Sequence, residues 1–214
     1  MSAPLIFVHG WGLSPAFWAG LAAHMPGREH IFVDLGFTGG CADSEKAFLV
    51  RPVRGLYVTH SLGTLWALKH CAGEMSALAA INGFACFESF ASRAALRGMK
   101  RHLVRDPAAQ MVDFYRQAGV TVSGAASLCQ ERLLEGLDWL EQEDERETLR
   151  QSSCPVLSLA GAQDRILPEE LMRREWAGFP LHMHEEGGHA LPQTHPGWCA
   201  AHIEALIKAL EAAS

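Results

Sequence analysis

An α/β fold, with a mostly parallel sheet of about six strands flanked by helices, is predicted from three features of the sequence. Short apolar runs alternate with longer amphipathic segments. The last of those segments carries an apolar stripe able to close one face of a sheet. The 214 residues suffice for one domain, and 49% apolar with 20% charged content is the balance of an ordinary folded core.

In chain order, Leu5 to Val8 reads as the first strand. Ser14 followed by Pro15 reads as a helix N-cap with proline in the first turn, and Phe17, Leu21 and Met25 then share one face of a helix over residues 14–25. Residues 31–33 and 56–58 read as strands, Leu62 to Cys71 as a helix and residues 77–81 as a fourth strand. Residues 84–153 hold no convincing strand, and their helical periodicity predicts an insertion of three helices over 89–105, 107–118 and 126–150, jointed at Gly119 and Gly124. Strand and helix alternation resumes with residues 156–160, a helix opening at Pro168-Glu169-Glu170, a run over Leu181 to His184 and a final helix striped by Cys199, Ile203, Leu206, Ile207 and Leu210. The expected division is therefore a core of residues 1–83 and 154–214 with a helical insertion at 84–153.

Composition excludes several classes. A formal charge of −6 argues against nucleic acid as a general partner, because phosphate binding needs a net basic surface. No uncharged apolar stretch approaches the roughly 18 residues that span a bilayer, and the first apolar run starts too early for a secretion signal. A soluble cytoplasmic monomer with no membrane association is expected. The six cysteines (Cys41, Cys71, Cys86, Cys129, Cys154, Cys199) form no C-x-x-C pair, so neither a zinc ribbon nor a redox pair is suggested, and reduced, mostly buried thiols are expected.

The segment Leu56-Tyr57-Val58-Thr59-His60-Ser61-Leu62-Gly63-Thr64 joins a β-rich run to a helix through a tight serine turn. It resembles the nucleophile elbow of the α/β-hydrolase superfamily, in which the serine hydroxyl is lifted above the sheet and faces the positive end of the following helix. Small residues belong two positions to either side. Gly63 satisfies one side, and Thr59 replaces the usual glycine on the other, where a β-branched side chain threatens to crowd the turn. His9-Gly10-Trp11-Gly12 resembles the superfamily's oxyanion loop, which implies the backbone amides of Trp11 and Leu62 as donors to charge that develops in the transition state. Gly161-Ala162-Gln163-Asp164, followed by Pro168, resembles the acid loop, and His189 follows Gly187-Gly188 after the last strand. The order Ser61, Asp164, His189 is the one this superfamily uses. The resemblance implies the α/β-hydrolase fold with a helical lid over the serine. It also implies Ser61 as nucleophile, His189 as general base, Asp164 as its orienting acid, and no metal or organic cofactor. Rival histidines at 182, 184 and 195 read as strand or helix-start residues, Asp34 as a turn residue and Asp138 as a helix residue.

The match extends to Trp18, the helix tail 134–140, the Asp144-Glu145-Arg146 turn and the 155–168 strand and loop. Together these look like the pimeloyl-carrier-protein methyl ester esterases of biotin synthesis. That likeness implies a carrier-bound acyl ester as substrate, with Trp11, Leu62, Phe114 and His189 touching it. Arg93, Arg97, Arg101 and Arg105 recur every fourth residue with Lys100 beside them, so one helix would present a cationic stripe without neighbouring carboxylates. An acidic partner such as acyl carrier protein is expected to meet Arg93, Arg97 and Arg101; a solvated helix face is the alternative. Phe84, Phe87 and Phe90, like Phe114, read equally as core packing. A general short-chain carboxylesterase or acyl thioesterase would share every catalytic residue, and a non-catalytic binding module on the same fold is the third reading.

Overall fold

The computed structural model describes residues 3–39, 52–122 and 127–213. Cys41, Gly124 and Ala126, named above, lie outside the described residues. Six parallel strands form the sheet in the order β2-β1-β3-β4-β5-β6: β1 Leu5–Val8, β2 His30–Val33, β3 Gly55–His60, β4 Met75–Ile81, β5 Val156–Gly161 and β6 Leu181–His184. The registers pair Val8 with both Val33 and Thr59, and His60 with Ile81, so the ends of the central strands lie level.

Strand periodicity divides the sheet between two buried clusters. Ile6, Val8, Tyr57, Leu78 and Ala80 face one side, and Leu5, Phe7, Leu56, Val58 and Ala79 face the other. Because both faces are covered, the central strands read as unbroken apolar runs. The edge strands β2 and β6 are less buried. Nine α-helices are described: α1 Ala19–Ala23, α2 Leu62–Cys71, α3 Arg93–Arg105, α4 Pro107–Ala118, α5 Gln130–Gln142, α6 Arg146–Gln151, α7 Glu169–Glu175, α8 Leu191–Thr194 and α9 Pro196–Ala212. Leu21 of α1 and Cys199, Ile203 and Ile207 of α9 close one face, while α2 and α3–α7 bury residues on the other. Helix α2 is buried almost all round, which is why it shows no apolar stripe of its own.

Three expectations need correction. The first helix opens as a 3-10 turn, Pro15–Trp18, and Ser14 makes no side-chain capping bond. The single helix expected over 126–150 is two, because the chain is extended at Glu143 and Asp144 pairs with Cys86 in an isolated bridge. Glu145 then donates its amide to the carbonyl of Ala85. Cys129 is disulfide-bonded, against the expectation of reduced thiols, whereas Cys71, Cys86, Cys154 and Cys199 are free. No helix among the described residues is long and apolar enough to cross a membrane.

Candidate active site

The site sits at the carboxyl ends of β1, β3, β4, β5 and β6, where loops leave a parallel sheet. Ser61 follows β3 directly and adopts φ 53° and ψ −126°, a backbone conformation costly for a non-glycine residue. Its amide donates to the carbonyl of Ile81 at 3.2 Å, which fixes the turn to the end of β4. Gly63 is required by contact: a Cβ there would lie 2.4 Å from the Val8 carbonyl oxygen and 2.6 Å from that of His9. Thr59 is accommodated. Its hydroxyl pairs with that of Thr64 at 2.7 Å, and Gly83 leaves room for Thr64, since a Cβ at Gly83 would lie 2.1 Å from the Thr64 hydroxyl oxygen. The expected crowding is therefore absorbed by a missing side chain in the next loop.

His189 Nε2 lies 3.2 Å from Ser61 Oγ, and His189 Nδ1 lies 2.7 Å from Asp164 Oδ2. The other Asp164 oxygen accepts the amides of Ile166 at 2.7 Å and Leu167 at 2.9 Å, so the carboxylate cannot rotate without losing backbone donors. With an ionised acid on Nδ1, the neutral ring carries its proton there and leaves Nε2 free to accept from Ser61. All three side chains are buried, Ser61 retaining 8% exposure.

The loop after β1 presses against the serine. A Cβ on Gly10 would lie 3.0 Å from Ser61 Cβ. His9 holds this loop from inside the protein: the Leu35 amide donates to its Nε2 at 3.0 Å, so the neutral ring donates from Nδ1 to the Gly10 carbonyl at 3.0 Å. Asp34 keeps its expected turn role, its Oδ1 accepting from the Gly36 amide at 2.8 Å. Leu62, the first residue of α2, supplies an N–H that no helical carbonyl can accept. The loop at Gly10 and the first turn of the helix beginning at Leu62 thus adjoin the serine from two elements.

Trp11 also binds the helical segment. Its indole N–H donates to the Leu133 carbonyl at 2.8 Å, and its ring meets Phe114 edge-on at 4.7 Å. Tyr115 donates its hydroxyl to the Gly12 carbonyl at 2.7 Å. A cleft of about 320 Å³ opens beside this loop, lined by Gly12, Phe17, Met111, Val112, Leu128 and Gln193 among others. Ser61 and His189 do not line it. Phe84, Phe87 and Phe90 pack on one another at 5.0–6.0 Å and belong to the core.

Arg93, Arg97 and Arg101 are exposed on α3, on a different element from the serine rim. The stripe does have carboxylate neighbours. Lys100 donates to Asp138 at 2.6 Å and to Glu141 at 2.5 Å, and Arg93 reaches Glu88 at 4.0 Å. Asp138, a rival acid by sequence, is thereby engaged away from the serine. Of the rival histidines, His184 packs on His195 at 3.9 Å and His182 on His202 at 4.4 Å, both as tilted ring pairs.

Two polar residues at the rim escaped the sequence reading. His60, beside the serine, donates from Nε2 to the His189 carbonyl at 2.9 Å, and Asn82, after β4, donates to the Gly188 and His189 carbonyls. The signal available was a polar residue at the end of an apolar strand and before glycine, Ile81-Asn82-Gly83. Burial, with His189 beside it, pushes the His60 imidazole well below its ordinary pKa. Among the described residues no group of three or more His, Cys, Asp or Glu is placed to hold a metal ion.

The sequence profile of the alpha/beta hydrolase family matches residues 5–202. A pimeloyl-[acyl-carrier protein] methyl ester esterase of Vibrio cholerae serotype O1 is 27% identical over 202 residues, covering 79% of each chain. A protein of the same name from Aromatoleum aromaticum is 26% identical over 246 residues, covering 95% of this chain and 98% of that one. Among solved structures, a thermophilic esterase from Thermogutta terrifontis superposes with a TM-score of 0.78 at 18% identity, over 98% of this chain and 91% of that one. An enol-lactonase from Burkholderia xenovorans LB400 gives 0.75 at 14% identity, over 96% and 92%. With its six-stranded parallel sheet, its serine on a strained strand-to-helix turn and a profile match over most of its length, the chain belongs to the alpha/beta hydrolase family.

Proposed function

We propose that the protein is a serine carboxylesterase acting through an acyl-enzyme, and the observation that carries this reading is the bonded chain from Ser61 Oγ through His189 to Asp164. Ser61 Oγ attacks the ester carbonyl while its proton passes to His189 Nε2, and the resulting oxyanion takes the Trp11 and Leu62 amides. His189 then protonates the departing alcohol as the carbon–oxygen bond breaks. Water attacks the acyl-serine with His189 again as base, the carboxylic acid leaves, and the proton returns to Ser61. Asp164 keeps Nε2 as the free face of the imidazole and stabilises the imidazolium formed in each half-reaction. No cofactor enters these steps.

The substrate proposed is a pimeloyl-carrier-protein methyl ester, supported by the two relatives bearing that activity in their names. The cleft begins at Gly12, one residue beyond the Trp11 amide, and its apolar wall of Met111, Val112 and Leu128 suits an alkyl chain. Residues 84–153 would act as a lid, Phe114 would touch the acyl chain, and Arg93, Arg97 and Arg101 would meet the acidic carrier. A cytoplasmic monomer suits such a partner.

Two measurements test this. A fluorophosphonate probe is expected to modify Ser61 in the folded protein; absence of labelling would favour a non-catalytic binding module. Hydrolysis of methyl pimeloyl carrier protein is expected to outpace that of aryl esters of increasing length. A preference for short aryl esters or for thioesters would replace the substrate and keep the mechanism.

A further inference from the structure

Asn82 leaves β4 at the centre of the rim, fully buried, with φ 44°. Apart from Ser61, it is the one non-glycine among the described residues with a positive φ. Asparagine enters this region more readily than most residues, yet the conformation persists only where the surroundings hold it. Here both of its side-chain polar atoms are engaged. Oδ1 accepts the Gly161 amide at 2.9 Å, and Nδ2 donates to the Gly188 carbonyl at 2.9 Å and to the His189 carbonyl at 2.8 Å. Two carbonyls that only accept and one amide that only donates leave a single orientation for the side-chain amide. Its own N–H donates to the Leu159 carbonyl at 2.7 Å, and the preceding carbonyl, that of Ile81, accepts from Ser61.

One dipeptide therefore ties together the turn that carries Ser61, the loop that leads to Asp164 and the loop that carries His189. We infer that Asn82 is a positioning residue of the esterase reaction, fixing the imidazole of His189 against Ser61 by gripping the backbone from which that imidazole hangs. The inference rests on the roles proposed above for Ser61, His189 and Asp164. His60 supplies a second donor to the same His189 carbonyl at 2.9 Å, and since a carbonyl can only accept, the proton of His60 sits on Nε2. The 3.2 Å from His189 Nε2 to Ser61 Oγ is already at the long end of hydrogen-bond reach, so little displacement is tolerable. A misplacement of about 1 Å at a reacting group costs on the order of 100-fold in rate. Asn82 is buried and lies away from the cleft, so its loss should spare substrate binding.

A merely structural Asn82 would move stability alone. The Asp and His loops are already packed through Gly161 and Gly187, where a Cβ on Gly161 would lie 2.3 Å from the Gly187 carbonyl oxygen, and the Gln163 amide donates to that same carbonyl at 2.8 Å. Two variants separate the roles. Asn82→Asp retains the acceptor for Gly161 and loses the donors to the His loop, while Asn82→Gly keeps the left-handed backbone and loses every side-chain bond. For each, kcat and KM on p-nitrophenyl butyrate and the rate of Ser61 phosphonylation are measured per folded molecule. The expected result is a kcat lowered by roughly 10- to 100-fold, phosphonylation slowed in parallel, and KM within about twofold of wild type. Values of kcat and phosphonylation within twofold of wild type would overturn the inference. If neither variant folds, His60→Phe removes one bond to the same carbonyl; a several-fold lower kcat at constant KM is expected, and an unchanged kcat overturns the positioning role. A wild-type protein that neither cleaves the ester nor takes the probe would instead sink the esterase reading itself, and the role of Asn82 with it.

Discussion

The rim of the sheet and the outer face of α3 carry polar side chains under opposite conditions. At the rim Ser61, Asp164, His189, His60 and Asn82 are all buried, and each makes hydrogen bonds that other elements supply. On α3 the arginines stand in solvent, with carboxylates nearby whose closest contacts go to Lys100. Burial strengthens electrostatic interactions and penalises unpaired groups, of which His60 Nδ1 is one, so the bonded side chains of the rim are held in fixed geometry. Exposed cations are screened within about 10 Å at ordinary salt and hold no fixed geometry, which suits encounter with a partner rather than chemistry.

The contrast breaks most decisively at Ser61. Ser61→Ala is expected to lower kcat by at least about 10⁴-fold with little change in melting temperature, since the side chain carries the reaction and little of the packing. Turnover near that of wild type would remove the rim's claim to chemistry. Gly63→Ala comes next: the added methyl collides with the Val8 and His9 carbonyls and pushes the oxyanion loop away, so kcat should fall about 100-fold and stability by about 1–3 kcal/mol. An unperturbed kcat would mean that the loop's amides do not serve the reaction.

On the α3 side the effect should be smaller and selective. Joint replacement of Arg93, Arg97 and Arg101 by Gln is expected to raise KM about 10-fold for a carrier-bound ester and to leave p-nitrophenyl butyrate unaffected. Equal losses on both substrates would end the docking idea. Thr59→Val tests the turn without touching the chemistry. It keeps the shape and leaves the Thr64 hydroxyl unpaired, at an expected cost of about 1–3 kcal/mol in chemical denaturation and unchanged kcat.

The weakest effect is global. Burial lowers the pKa values of His60 and His202, with repulsion from His189 and His182 respectively adding to it. The unfolded chain takes up these protons near pH 6.5 and the folded chain only at lower pH. Their neutral burial therefore costs nothing above about pH 6.5, and stability declines as pH falls below it. Urea denaturation midpoints should drop between pH 7.5 and 5, and His202→Phe should flatten part of that slope. A midpoint that rises on acidification would contradict the burial of neutral imidazoles.

Much of this molecule is legible in order and spacing alone. Strand runs such as Leu5–Val8 and Leu181–His184 are local, because period and β-branching act between near neighbours in the chain. The serine, acid and histidine turns are recognisable for the same reason: each is a short stretch whose glycines and polar residues are demanded by its own backbone. What the sequence could not show depends on contacts across the fold. The tolerance of Thr59 rests on Gly83, the neighbours of Lys100 lie about forty positions away, and the break between α5 and α6 is set by a bridge to Cys86. Asn82 is the clearest case: its immediate sequence shows only a polar residue between an apolar strand and a glycine, while its three side-chain bonds reach residues 79 to 107 positions along the chain. Residue chemistry and local periodicity determined which groups were available; only packing of strand ends at van der Waals distance decided which of them meet.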